Sequence, residues 1–157
     1  MNLVKIIIWP RATNPLRRAI RFLTHGKGSH AAFLRGNGRI IENTWPKVRE
    51  RAFRYGEVHQ VEIYRLDGMT AAESSRLERW FDEELKNPPP YSWLDLFRYA
   101  FNLRPVEGRA SFCSMWVCRG LRKNLPAEDQ PLQRLEWRDY ASPRDLRISP
   151  RLIRYWM

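Results

Sequence analysis

The segment Gly36-Asn37-Gly38 constrains the fold most, because it joins two β-prone runs at residues 29–34 and 39–43. Glycine and asparagine tolerate the backbone angles of tight hairpin turns. A two-residue turn would pair residues whose numbers sum to 75 and place His30 and Glu42 on opposite faces of the hairpin. A three-residue loop with Gly38 in the left-handed conformation gives a sum of 74 and makes them diagonal neighbours on one face. The sequence alone leaves both turns open.

Two further strands are predicted from apolar and β-branched runs. Residues 4–9 form a dense apolar stretch that Pro10 ends, which predicts a buried strand. Residues 58–66 predict another strand after the hairpin. The tail after Pro126 is expected to be rich in turns.

Helices are predicted from capping residues and apolar periodicity. Thr70 with Glu73 forms a capping box for a helix that ends at about residue 87. Ser92 with Asp95 repeats the pattern for a helix near residues 92–102. Another helix is expected at about residues 112–123. A short helix is expected after a cap at Thr13 or Asn14. Its apolar face consists of Leu16, Ile20 and Leu23, and Gly26 and Gly28 follow its end. The chain, residues 1–157, is therefore predicted to be one α+β domain with a mostly antiparallel sheet packed against helices.

The formal charge is +11, and 23 of the 28 basic residues are arginine. Such a surface favours anionic partners such as nucleic acid, anionic lipid or an acidic polymer, although an arginine-rich source genome explains it equally well. Together with 20 aromatic residues, the charge keeps a nucleic-acid-binding module as an alternative function. The arginines are scattered along the chain, however, and no recognised nucleic-acid motif is present.

Several classes of protein are excluded by what the sequence lacks. No apolar stretch approaches the roughly 20 residues of a membrane span, and the first residues do not resemble a secretory signal. We therefore expect a cytoplasmic protein, unless another route delivers it to the cell envelope. Two cysteines and three histidines without C-x-x-C or H-E-x-x-H spacing predict neither a disulfide scaffold nor a metal or cofactor site.

Cys113 is the candidate nucleophile, since it falls in the first turn of the predicted helix at residues 112–123. Unpaired backbone N–H groups at a helix start stabilise a thiolate and can hold an oxyanion during acyl transfer. A nucleophilic cysteine needs a base, for which His30 is better placed than His25. Glu42, a carboxylate in an otherwise apolar strand, is the candidate for orienting the imidazole. A buried structural cysteine remains the plain alternative for Cys113, and the only interpretation for Cys118.

Three motifs carry a resemblance to a known family: Ser29-His30-Ala31-Ala32-Phe33, Gly38-Arg39-Ile40-Ile41-Glu42 and Phe112-Cys113-Ser114-Met115-Trp116-Val117. In this order they resemble the circularly permuted NlpC-type papain-like hydrolases of the YiiX and YaeF group. Weaker likeness at residues 20–24, 90–91 and 142–146 extends the resemblance over most of the chain. Ala31-Ala32 and Met115-Trp116 depart from the family pattern, which puts substrate choice in doubt more than the catalytic core.

The resemblance implies a permuted papain-like fold with the nucleophile at the start of a late helix. It implies Cys113 as nucleophile, His30 as general base and acid, Glu42 as the orienting group, and Tyr91 as a substrate-binding residue near the cleft. The expected activity is hydrolysis of a peptide amide or an acyl ester, on cell-wall peptides or lipid-like substrates. A catalytically inactive papain-like binding domain is a further alternative. The sequence does not decide the substrate or the oligomeric state.

Overall fold

The computed structural model describes residues 3–12, 15–23, 28–101, 103, 108, 110–126, 142–147 and 149–155. The strands in these ranges are β1 (Lys5–Trp9), β2 (His30–Leu34), β3 (Arg39–Asn43), β4 (Val48–Ala52), β5 (Glu62–Leu66) and β6 (Leu152–Tyr155). The helices are α1 (Pro15–Leu23), α2 (Ala71–Lys86), α3 (Trp93–Ala100), α4 (Cys113–Asn124) and α5 (Pro143–Arg147), with a 3₁₀ helix at Tyr55–Gln60. The strands form one antiparallel sheet in the order β4-β3-β2-β1-β5-β6. The predicted α+β class and antiparallel sheet are confirmed.

The hairpin of β2 and β3 adopts the register of the three-residue loop. Phe33 pairs with Ile41 and Leu34 with Ile40, so paired residue numbers sum to 74. Gly38 has a φ of 81°, in the left-handed region that glycine enters without strain. This register places the side chains of His30 and Glu42 on the same face of the sheet.

The two faces of the sheet carry separate apolar clusters, because side chains alternate along each strand. On one face, Ile8 of β1 and Phe33 of β2 pack in the main core. Trp80 of α2 and Trp116 of α4 join this core and stack on each other with ring centroids 5.0 Å apart. The other face holds a smaller cluster: Ile7, Trp9, Ala32, Leu34, Ile40 and Ile63. Helices α2 and α4 therefore cover one face, and the start of α4 lies beside β2.

The predicted helix caps are present where the structure describes them. The Thr70 hydroxyl accepts a hydrogen bond from the Glu73 backbone, and the Glu73 carboxylate accepts one from the Thr70 backbone. Ser92 caps α3 by accepting from the Asp95 backbone N–H at 3.0 Å. The cap predicted at Thr13 or Asn14, and Gly26, lie outside the described residues. None of the helices in the described ranges is long and apolar enough to cross a bilayer.

Three elements differ from the sequence prediction. The strand predicted to begin at Val58 is wrong in its first half, because Tyr55–Gln60 forms a 3₁₀ helix and β5 begins only at Glu62. Strand β4 was not predicted, since its sequence VRERA has three consecutive charged residues and lacks the apolar alternation that indicates a strand. The tail contains α5 and β6 as well as turns, and β6 is held by pairing with β5, a partner distant in sequence.

Candidate active site

Cys113 is the first residue of α4, and the segment before it is fixed to two other parts of the chain. The Ser111 backbone N–H donates to the Pro90 carbonyl at 3.3 Å, and the Ser92 N–H donates to the Ser111 carbonyl at 2.9 Å. The Tyr91 N–H donates to the Pro46 carbonyl at 2.9 Å. The start of α4 is therefore held beside the segment that precedes α3 and the loop between β3 and β4.

His30 and Glu42 form a buried hydrogen-bonded pair. The Nε2 of His30 lies 2.9 Å from Oε2 of Glu42 and donates to it, since an ionised carboxylate only accepts. Both side chains are almost fully enclosed. The contact is the diagonal one that the three-residue loop creates, so the turn conformation at Gly38 determines the pairing of acid and base.

The Cys113 thiol and the His30 imidazole are close enough for each to shift the pKa of the other. Because Nε2 is bound to Glu42, Nδ1 is the ring nitrogen left for the thiol. Burial alone would raise the pKa of Cys113, but the hydrogen bond and charge of His30 and the backbone N–H groups of Ala31 and Ser114 outweigh it, and the pKa is lowered. Burial alone would lower the pKa of His30, yet Cys113 and Glu42 raise it to about 9. The arrangement favours a thiolate beside an imidazolium.

Two arginines of β4 hold the second oxygen of Glu42. Arg49 donates to Oε1 from Nε and Nη2, at 3.1 and 3.0 Å, and Arg51 donates to the same oxygen from Nε at 3.1 Å. Burial alone would raise the Glu42 pKa, but the hydrogen bond and charge of His30, and then the arginines, hold it well below its usual range. Glu42 is thus a fixed anion whose other oxygen faces the imidazole.

Trp9 packs beside the imidazole of His30, and two arginines pack on Trp9. The Trp9 ring lies 5.1 Å from the His30 ring between centroids. The guanidinium carbons of Arg17 and Arg51 lie 4.8 and 5.9 Å from the centre of the Trp9 ring. These contacts were not predicted, since no local pattern brings Arg17 of α1 and Arg51 of β4 to the tryptophan that packs beside His30.

Tyr91 packs beside the candidate nucleophile in an apolar cluster: Ile20, Tyr91, Leu96, Phe112, Cys113 and Met115. Its hydroxyl is buried and has no hydrogen-bond partner among the described residues. Burial, with a smaller contribution from the charge of Cys113, holds the Tyr91 pKa above its ordinary value. Tyr91 and Cys113 thus lie in one cluster, and Cys113 in turn lies beside the pair of His30 and Glu42.

Other residues weighed from the sequence lie elsewhere or outside the described ranges. Trp116 belongs to the main core and Trp45 is exposed, so Trp9 is the tryptophan beside His30. Cys118 is buried in the main core and forms no disulfide bond. His25 lies outside the described residues. A pocket of about 180 Å³ is lined by residues 3–4 and 65–69 and includes none of the candidate site residues.

Comparison with known proteins finds a solved structure with a similar fold. No protein-family model matches the chain, and no curated protein matches it. Among solved structures, the fold is similar to that of the metalloprotein yiiX from Escherichia coli O157:H7, with a TM-score of 0.64 and 16% sequence identity. The match covers 99% of this chain and 96% of the other. The structural neighbour thus carries the name of the group that the sequence motifs resemble, and the likeness at this identity concerns the fold.

Proposed function

We propose that this protein is a cysteine hydrolase of the circularly permuted papain-like type, acting on an amide or acyl ester. The observation that carries the proposal is the position of His30 between the Cys113 thiol and the Glu42 carboxylate. A cysteine next to a base, with the base oriented by a third group, is the arrangement of a nucleophilic catalyst. The motif resemblance supports the same assignment, and the fold likeness to yiiX is consistent with the group that these motifs resemble.

The proposed reaction proceeds in two steps. In the first, the Cys113 thiolate forms a bond to the carbonyl carbon, and backbone N–H groups at the start of α4 hold the oxyanion. His30 then gives its proton to the leaving amine or alcohol as the bond to that group breaks. In the second step His30 takes a proton from water, whose oxygen attacks the thioester. The carboxylic acid leaves, and the thiolate and imidazolium are restored.

Glu42 acts through His30. Its ionised carboxylate fixes the ring through Nε2, which leaves Nδ1 directed to the thiol, and it stabilises the positive charge on the ring. Arg49 and Arg51 hold the carboxylate in place without contacting the reacting atoms. We therefore assign Cys113 and His30 as catalytic residues and Glu42 as the positioning residue.

Tyr91 is the proposed substrate-binding residue. Its hydroxyl is buried beside Cys113 without a partner in the described ranges, and a buried hydroxyl of this kind is costly unless something binds it. A polar oxygen of the substrate, placed next to the thiol, would satisfy it. The proposed substrates are peptide amides, including cell-wall peptides, and lipid-like acyl esters.

A metal ion does not fit the proposed site. The structural neighbour is described as a metalloprotein, so we tested the donor atoms of this chain. Glu42 has both oxygens engaged by His30, Arg49 and Arg51, and two adjacent guanidinium groups repel a cation. The described ranges hold no group of three metal-ligating side chains. No step of the proposed reaction uses a metal.

A second candidate function, a catalytically inactive binding domain, is favoured by one observation. The Cys113 side chain is 0% exposed, so a substrate reaches it only if the covering residues move. In this case Cys113, His30 and Glu42 would stabilise the fold, and no acyl-enzyme would form.

Hydrolysis of nitrophenyl esters and aminoacyl nitroanilides tests the proposal. Parent protein should cleave at least one class, Cys113→Ser should lose about a thousandfold or more of the rate, and Cys118→Ser should retain it. Cys118 is the matched control because it is a second buried thiol on the same helix. Equal rates in parent and Cys113→Ser would overturn the proposal. A parent inactive on all substrates, with Cys113 inert to alkylation, would favour the binding domain.

A further inference from the structure

Helix α3 is apolar on the side that faces solvent. Leu94, Phe97 and Phe101 are 58%, 47% and 73% exposed, and they recur at intervals of three and four residues along and just after the helix. This spacing aligns side chains on one face of a helix. Leu96 lies on the opposite side of α3 and is fully buried. Helix α3 therefore has two apolar sides, one buried in the protein and one exposed to solvent.

Two more apolar residues are exposed on α1 and just beyond α3. Leu103, just beyond α3, is 50% exposed, and Phe22 of α1 is 79% exposed. Helix α1 packs against α3, with Ile20 and Leu96 buried in the cluster that contains Cys113. We name the set of Phe22, Leu94, Phe97, Phe101 and Leu103 the apolar face. Exposed apolar residues grouped on neighbouring helices are typical of an interaction site.

The charges beside the apolar face are positive. Helix α1 has the sequence PLRRAIRFL, which contains three arginines and no acidic residue, and Arg18 and Arg21 are exposed. The acidic residue of α3, Asp95, is buried. The described part of these two helices therefore exposes arginine and apolar side chains with no carboxylate among them.

We propose that the apolar face docks on an anionic lipid surface, with Arg18 and Arg21 among the headgroups and the phenylalanines below them. Aromatic and aliphatic side chains flanked by arginine on a helix are the composition of segments that lie in a membrane interface. The net charge of +11 strengthens the attraction to such a surface. The lipid surface would then lie next to the helices that flank Cys113. The inference goes beyond the proposed hydrolase activity and does not depend on it.

Vesicle sedimentation of the full chain tests the proposal. Parent protein should bind vesicles of equal parts phosphatidylcholine and phosphatidylglycerol, and bind pure phosphatidylcholine weakly. Phe97→Ser with Phe101→Ser should weaken binding about tenfold or more, because each phenylalanine loses its apolar transfer energy. Arg18→Gln and Arg21→Gln should each weaken it about fivefold, and added salt should do the same. Cys113→Ser should bind as the parent does, which separates this test from the test of hydrolysis.

Two matched variants control for general effects of substitution. Ile153→Ser removes an exposed apolar residue of β6, and Arg79→Gln removes an exposed arginine of α2. Neither should change vesicle binding. Equal binding by parent and the phenylalanine variants, or no binding by the parent, would overturn the proposal. A parent that forms dimers without lipid, and loses them in Phe97→Ser with Phe101→Ser, would also overturn it in favour of a second copy of the chain as the occupant.

Discussion

Asn43 ties the strand that carries Glu42 to the segment that carries the nucleophile. Its Nδ2 donates to the Ser111 carbonyl at 2.8 Å and lies 3.0 Å from the Ser111 hydroxyl oxygen, and the two residues are 68 apart in sequence. Asn43 directly follows Glu42, and Ser111 stands two residues before Cys113. The side-chain amide therefore fixes the distance between the two halves of the proposed site.

Replacing Asn43 by alanine should separate the thiol from its base. We expect a loss of about 1–3 kcal/mol in the free energy of unfolding, because buried partners at Ser111 lose their donor. We also expect the pH midpoint of Cys113 alkylation to move up toward that of an ordinary thiol. The control is Asn124→Ala, which removes a similar hydrogen bond, from the Asn124 side-chain amide to the Gly120 carbonyl at the other end of α4. A midpoint that moves equally in both variants would show that Asn43 has no positioning role.

The pH dependence of alkylation by iodoacetamide should distinguish the two cysteines. The lowered pKa of Cys113 keeps a thiolate present at lower pH than in an ordinary cysteine, so its alkylation should extend to lower pH than that of a free thiol, while Cys118, buried in the main core, should react on unfolding. The profile should change again near pH 9, where His30 loses its proton. Restricted access to the buried Cys113 thiol lowers the absolute rate at every pH.

Peptide mapping assigns each modified thiol, and His30→Ala supplies the comparison. Without the imidazole, Cys113 should lose its reactivity at low pH. Retention of that reactivity in His30→Ala would contradict the proposed thiolate–imidazolium pair.

Glu42→Gln should reduce stability in a pH-dependent way. The folded pKa of Glu42 lies below its unfolded value of 4.5, so its stabilisation is fully present above that value and is lost as the pH falls through the folded pKa. We expect the variant to be about 3 kcal/mol less stable at neutral pH, since His30 and two arginines lose a buried partner charge. The difference in the free energy of unfolding between parent and Glu42→Gln should shrink as the pH falls below about 4.5. Chemical denaturation at a series of pH values measures it.

Glu50→Gln is the control for this effect, because Glu50 forms ion pairs with Arg35 and Arg39 where solvent reaches it. Its change in stability should stay within about 1 kcal/mol. A gap between parent and Glu42→Gln that grows on acidification would contradict the assignment of Glu42 as an ionised group in the folded state.

Tyr91→Phe should affect activity without affecting stability. Its hydroxyl has no partner among the described residues, so removing it should leave the free energy of unfolding unchanged or raise it by about 1 kcal/mol. If it binds the substrate, kcat/KM should fall about tenfold. Tyr64→Phe should lower the free energy of unfolding and leave kcat/KM unchanged, because the Tyr64 hydroxyl donates to Glu62 at 2.8 Å, away from the proposed site. Unchanged kcat/KM in Tyr91→Phe would remove Tyr91 from substrate binding.

Gly120→Ala should be strongly destabilising. A Cβ at this position of α4 would lie 2.4 Å from a carbon of the buried Trp80 ring, which is fixed against Trp116. Overpacking of this kind costs about 1–3 kcal/mol. The matched control is Gly56→Ala, where a Cβ meets nothing within 4 Å, and it should leave stability unchanged or raise it slightly. Equal melting temperatures in the two variants would show that α4 can move away from α2 at no cost.

Local signals account for what could be predicted from the sequence. The hairpin loop depends on Gly38, and α2 begins at the cap formed by Thr70 and Glu73, so neighbouring residues carry enough information for both. The same loop register brings His30 next to Glu42, which is why part of the candidate site was predictable.

What could not be predicted depends on contacts between distant segments. Strand β4 has charged residues because Arg49 and Arg51 bind Glu42, so the requirements of the site remove the apolar alternation that identifies a strand. The packing of Trp9 beside His30 and the full burial of Cys113 require the sheet and helices to be assembled. No pattern within one segment indicates them.

The order of these elements along the chain affects how the protein is made. The hairpin with His30 and Glu42 precedes α4 in the sequence, so during translation it leaves the ribosome well before Cys113 does. The early chain holds a base and its carboxylate without a nucleophile, and the late helix must dock through the bond between Asn43 and Ser111. A nascent or truncated chain that ends before residue 113 therefore cannot attack any carbonyl. On the proposed mechanism, the chain becomes active only after α4 has been synthesised and has docked against the hairpin.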